Sequence, residues 1–204
     1  MKNNFPLLKT SPPWLVGILN ITPNSFSDGG SYLSAQKAIE HGEYLLNCGA
    51  HILDIGGEST GPGSMPISAQ EEINRIENVV KHFATKCLVS VDTYKAEVAK
   101  KVLSLGAQII NDVSAMRADS QMPEVIKEYK AYIIMMYSKE EANHPHATLE
   151  QKSYNSVIDE ILQFFDKRIE VALRSGIKKE QIILDPGMGI FISQNPDYSW
   201  ELLA

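Results

Sequence analysis

Short apolar runs alternate with stretches of helical spacing along almost the whole chain. The runs are Leu15–Leu19, His51–Ile55, Leu88–Val91, Gln108–Ile110, Ala131–Met136 and Ile182–Leu184. Apolar runs of this length, bounded by turn residues, predict buried strands. Between them, residues 35–48, 68–84, 95–105, 121–130 and 153–175 carry amphipathic spacing that predicts helices, and 196–204 begins another. Ser68-Ala69-Gln70-Glu71 has the spacing of a capping box. Gly49, Gly106 and Gly176 each follow a helical stretch and precede a strand, as helix-ending glycines do. Strict alternation of strand and helix predicts a parallel sheet with crossover helices, either a (β/α)8 barrel or an open doubly wound sheet. No GxGxxG follows the first strand, so the dinucleotide fold has no support.

Polar residues recur where the apolar runs end: Asn20, Asp54, Asp92, Asn111 with Asp112, Tyr137 with Ser138, and Asp185. In a parallel α/β barrel the functional side chains come from the carboxyl ends of the strands. Taken singly, each is more often a helix cap or a turn residue: Asp92-Thr93 reads as a cap and Asn111-Asp112 as an Asx turn. Taken together in a repeating unit, they predict acceptor groups facing one mouth, suited to a planar ligand rich in ring N–H and amino groups. Three loops join that face. In residues 17–30 (GILNITPNSFSDGG) the end of the first strand run gives way at Asn20 to a long polar loop, and GGESTGPGS (56–64) and DPGMG (185–189) are glycine-rich. Backbone N–H groups in such loops can cradle anionic oxygens. His144-Pro145-His146 lacks a third ligand at a recognisable spacing and is read as loop rather than metal site. Met135 and Met136 are read as core and Lys95 as a solvated cation.

Composition narrows the class without changing this picture. The 204 residues suffice for one domain with a sizeable core, and residues 1–13 are expected to be irregular. A net charge of −6 argues against a nucleic-acid surface. No run reaches the roughly 18 apolar residues of a membrane span. Cys48 and Cys87 show no metal or CxxC spacing, so a reducing cytoplasm is the expected setting.

GILNITPNSFSDGG, GAHILDIGGESTGPG (49–63), VSVDTYK (89–95), GAQIINDVSA (106–115) and ILDPGMG (183–189) resemble dihydropteroate synthase, in that family's order and spacing, from about residue 14 onward. The resemblance implies a (β/α)8 barrel, here with about six βα units. It implies a transferase of folate synthesis that condenses 4-aminobenzoate with 7,8-dihydropterin-6-ylmethyl diphosphate, releases diphosphate, and is a sulfonamide target. By resemblance, Asp92, Asn111 and Asp185 hold the pterin, and Asn20 meets Mg2+ and the diphosphate. Thr60 contacts the diphosphate or substrate. Thr22, Pro23, Ser25 and Phe26 of the first loop, with Ser59 and Pro62 of the second, lie over the aminobenzoate. The resemblance also implies a homodimer for the full-length family.

This chain departs from the family's pattern at named positions. Asn24 stands where the family usually has Asp, and Gly61 where STRPG has Arg. Met188-Gly189-Ile190-Phe191-Ile192 replaces the usual DPGFG continuation with its further Gly and Lys. A complete barrel typically takes about 250 residues. Two βα units are therefore absent, and weak catalysis with residual pterin binding is expected of these residues alone. A pterin-dependent methyltransferase barrel and a non-catalytic pterin-binding remnant are the alternatives.

Overall fold

The computed structural model describes residues 13–22, 30–142 and 145–204. The irregular segment expected at the N-terminus falls, but for Pro13, outside these residues, as do Pro23, Asn24, Ser25, Phe26 and His144. Six strand–helix units follow one another: β1 (Val16–Asn20) and α1 (Gly30–Asn47), β2 (Ile52–Gly56) and α2 (Ala69–Phe83), β3 (Leu88–Asp92) and α3 (Ala96–Ser104), β4 (Ile109–Asp112) and α4 (Met122–Tyr129), β5 (Tyr132–Met136) and α5 (Val157–Arg174), β6 (Ile182–Asp185) and α6 (Asp197–Glu201). Single 3-10 turns, Lys179–Gln181 and Gly189–Phe191, flank β6.

All strand pairs are parallel, in the order β1-β2-β3-β4-β5-β6. Sequential order leaves no point at which the sheet reverses direction of growth, so the doubly wound alternative is excluded. The architecture is the (β/α)8 type, represented by six units among the described residues and open between β1 and β6.

Period-two alternation sorts the strand residues onto two faces. Leu53, Ile55, Val89, Val91, Ile110, Ile133 and Met135 join the helix residues Ile76, Val79, Phe83, Val98, Val102, Met122 and Ile126 in the main core. The opposite, concave face carries a smaller apolar layer of Ile52, Leu88 and Ile109, with Trp14, Tyr132 and Ile134 packed on it. Central strands thus have two buried faces, which is why they read as unbroken apolar runs. β1 differs: Val16 and Ile18 are 47% and 64% exposed while Gly17 and Leu19 are buried.

The helix boundaries follow their capping chemistry. Ser68 Oγ accepts the Glu71 N–H at 3.1 Å, one half of the expected capping box, while the Glu71 carboxylate pairs with Arg75 instead. Ser156 caps α5 in the same way, so that helix starts at Val157 rather than at 153. α1 starts at Gly30, ahead of the expected residue 35, and shortens the first loop. Gly49, Gly106 and Gly176 do end their helices in the left-handed region, at φ 99°, 107° and 91°.

Candidate functional site

The carboxyl ends of the strands carry a polar layer directly above the concave apolar layer. Asp92 and Asn111 are register partners on β3 and β4, and Asp54 faces Ser90 across β2 and β3. Strand ends and strand interior differ here from the sequence reading. Asn20, Asp92 and Asp185 are the last residues of their strands rather than residues following them, and Asp54 sits mid-strand, one layer deeper. Ser90 between them is small, which lets Asn111 Nδ2 donate to Asp54 Oδ2 at 2.9 Å across β3.

That bond fixes the Asn111 amide, because a carboxylate oxygen accepts and only the amide nitrogen donates. Its Oδ1 is then left over. Asp54 Oδ1, Ser90 Oγ, Asp92 Oδ1 and Asn111 Oδ1 are buried without a hydrogen-bond partner among the described residues. Each orphaned buried polar atom costs about 1–3 kcal/mol until something donates to it. Burial pushes Asp92 well above the usual carboxylate range, reinforced by the charges of Asp54, Glu72, Asp112 and Glu58. Burial also raises Asp54; the Ser90 and Asn111 side chains offset part of this, and the charge of Asp185 adds to it. Asp185 therefore shares the layer, and its Oδ1 also accepts the Gly187 N–H at 2.9 Å.

Asn20 closes the layer on the β1 side. Its Oδ1 lies 3.0 Å from where a Cβ on Gly56 would stand, and Asp92 Oδ2 lies 3.8 Å from the same point. A side chain at 56 would fill the space between them. Beyond it, Ser59 and Pro62 are exposed and Thr60 is half-buried. The Ala147 N–H donates to Thr60 O at 2.8 Å, so the β5–α5 loop holds this segment in place. Thr22 is half-buried just past β1.

Not every strand-end residue reaches the mouth. Asp112 alternates with Asn111 and points to the outer face. There it accepts the N–H groups of Ser114 and Met116, each at 2.8 Å, as the Asx-turn reading requires. Tyr137 packs outward with Val157, Ile161 and Phe165, and Ser138 Oγ accepts the Glu140 N–H at 3.2 Å. The expectation that all these groups share one mouth is corrected for Asp112, Tyr137 and Ser138. Lys95 is corrected too. Its Nζ pairs with Glu58 and, at 2.6 Å, with Glu72, and its side chain is largely buried. Sequence reasoning also passed over Ser90 and Glu58. Ser90 was visible as the small polar residue two positions before Asp92 on the same face of LVSVD, and Glu58 as the one charge in GGESTGPGS.

A mouth floored by apolar side chains and ringed by unsatisfied acceptors has the make-up of a small-molecule binding site of a parallel α/β enzyme. The chain belongs to the pterin binding enzyme family, whose pattern it matches over residues 16–204. It is 43% identical over 177 residues to the dihydropteroate synthase of Streptococcus pyogenes serotype M3, covering 86% of this chain and 63% of that protein. Among solved structures it is similar to Xanthomonas albilineans dihydropteroate synthase with 4-aminobenzoic acid, with 34% identity and TM-score 0.83 over 94% of this chain and 66% of that one. It is likewise similar to Yersinia pestis dihydropteroate synthase in a sulfonamide drug complex, with 35% identity and TM-score 0.82 over 94% of this chain and 68% of that one. The chain thus spans somewhat under two thirds of the curated relative's length.

Proposed function

We propose that the chain provides the pterin-binding part of a dihydropteroate synthase, which joins 4-aminobenzoate to 7,8-dihydropterin-6-ylmethyl diphosphate. The observation that carries this reading is the set of orphaned acceptors Asp54 Oδ1, Asp92 Oδ1 and Asn111 Oδ1 in one buried layer. A pterin ring presents several N–H and amino donors to such a layer, and charge-assisted bonds to carboxylates are the strong kind. The relatives' printed ligands, 4-aminobenzoic acid and a sulfonamide, support the second substrate.

In the reaction the aminobenzoate nitrogen forms a bond to the pterin methylene carbon, the carbon–oxygen bond to diphosphate breaks, and the amine gives up a proton. Asp92, Asn111 and Asp185 bind and orient the ring, with Asp54 holding the Asn111 amide. Carboxylates beside the ring favour positive charge developing at the methylene. Thr60 and the glycine-rich segment around it face the diphosphate, and Ser59, Pro62 and Thr22 border the aminobenzoate. Mg2+ would neutralise charge on the departing diphosphate. Asn20 is the residue that fits it, since this ion takes only one or two protein oxygens and completes its shell with water and phosphate. Asn20 is exposed, and the missing side chain at Gly56 leaves its oxygen uncovered on that side. Among the described residues no cluster of His, Cys, Asp and Glu offers a full metal cage. A non-catalytic pterin binder is the second reading, favoured by Gly61, which puts no cation beside the phosphates.

Calorimetric titration tests the assignment. Dihydropterin-6-ylmethyl diphosphate with Mg2+ should bind, and a sulfonamide should bind once that site is filled. Asp92→Ala, Asn111→Ala and Asp185→Ala should each weaken pterin binding about tenfold or more, the loss of one or more hydrogen bonds to a charged or buried partner. Unchanged affinity in all three variants would overturn the site. Turnover with 4-aminobenzoate separates the synthase from the binder.

A further inference from the structure

A second buried polar cluster lies beside the mouth, and the pterin reading makes no use of it. Glu58, in the loop after β2, is buried. Its Oε1 accepts from Tyr94 Oη at 2.6 Å and stands 2.6 Å from His146 Nε2. Its Oε2 pairs with Lys95 and accepts the Ile67 N–H at 3.2 Å. On its other side the His146 ring places Nδ1 2.9 Å from Ser64 Oγ and 3.2 Å from Ser64 O. One residue further on, Ala147 N–H holds Thr60 O. Ser64 Oγ in turn donates to Gly61 O at 2.5 Å.

These contacts bracket the segment 59–64. Among the described residues its other hydrogen bonds are short-range: the Gly61 N–H to Ser59 Oγ at 3.4 Å and the Ser64 N–H to Gly61 O at 3.2 Å. Ser59, Pro62 and Gly63 are exposed, so packing does not hold the segment either. Its long-range anchors come from residues 146 and 147, across 82 to 88 positions of sequence for the histidine. Glu58 would survive loss of the ring, because Lys95, Tyr94 and Ile67 still satisfy its oxygens.

We propose that His146 is a positioning residue for the 59–64 segment: by bridging Glu58 and Ser64 it sets Thr60 and the neighbouring backbone N–H groups for the diphosphate end of the substrate. The inference rests on the reading of that segment as the diphosphate side of the pterin site. Where a side-chain cation is absent at 61, orientation of backbone donors matters more, since these are the groups left to meet the anion.

The test compares His146→Phe, which keeps a ring against Tyr94, with His146→Gln, whose amide nitrogen can still donate to Glu58. Hydrogen exchange of the full chain should show amides 59–64 exchanging about tenfold faster in His146→Phe, with β3 and β4 unchanged. His146→Gln should recover most of that protection. Affinity for dihydropterin-6-ylmethyl diphosphate should fall by a similar factor in His146→Phe, while 6-hydroxymethyl-dihydropterin, which lacks the diphosphate, binds as before. Unchanged exchange at 59–64 would overturn the proposal, and so would equal loss of protection throughout the chain. Loss of both ligands alike would overturn the diphosphate role. If the native chain bound neither pterin, the function proposed above would fall, and the exchange arm would still decide whether His146 positions the segment.

Discussion

At the scale of single residues, the mouth is destabilised by its own acceptors. Asp92 has an Oδ1 that is buried and unpartnered among the described residues, and burial with its acidic neighbours raises its pKa. A carboxyl raised in the folded state contributes stability that is complete below the unfolded value and disappears as pH climbs through the raised one. Asp92→Asn should therefore raise the melting temperature of the ligand-free protein at pH 8 by about 2–4 °C, an amount that corresponds to roughly 1 kcal/mol in a chain of this size. The gain should vanish near pH 4, and pterin affinity should drop in the same variant, both readable from thermal scans and titration. The sign would be wrong if the variant melted lower at pH 8. Gly61 offers a gain of function. A Cβ there meets only Ser59 Oγ, at 3.5 Å, and its φ is not positive, so Gly61→Arg should fold normally. It should tighten diphosphate binding about tenfold, as a charge-assisted contact does.

At the scale of elements, the strand and helix pattern was almost wholly legible, because central parallel strands leave continuous apolar runs and amphipathic helices leave a period of 3.6. What each strand end points at was less so. Asn111 and Asp112 are adjacent in sequence yet serve opposite faces, and a one-residue shift exchanges them. Lys95 read as solvated because its partners, Glu58 and Glu72, lie 37 and 23 residues away, and no local pattern announces such contacts. The β6 loop shows how tightly two neighbouring elements meet. Gly187 sits at φ +68°, and a Cβ there would stand 2.5 Å from Tyr137 O. Gly189 has a similar φ of +58° but open space around it. Gly187→Ala should cost about 2–3 kcal/mol or more, since strained backbone and a clash add, whereas Gly189→Ala should cost about 1. Urea unfolding of the two variants checks the ordering, and equal costs would mean that backbone angle, not the approach to Tyr137, governs the turn.

At the scale of the whole molecule, the sheet formed by the described residues has two edges, β1 and β6, and they are unlike. β1 turns Val16 and Ile18 to solvent on the concave side, while β6 leaves Leu184 exposed on the other. Open parallel edges with exposed apolar side chains favour association. Light scattering should therefore rise with protein concentration, and Ile18→Lys should reduce it while leaving the melting temperature within about 2 °C, as solvent-facing changes do. The four orphaned acceptor positions, by contrast, come from three successive central strands, and their one mutual bond spans just 57 residues of chain. Each strand docks beside its predecessor, so a nascent polypeptide can assemble these four positions first, and the layer is complete only when Asp185 follows on β6. The proposed heterocycle would then reward correct pairing only once the sixth strand has docked, which makes it a late-acting folding ligand.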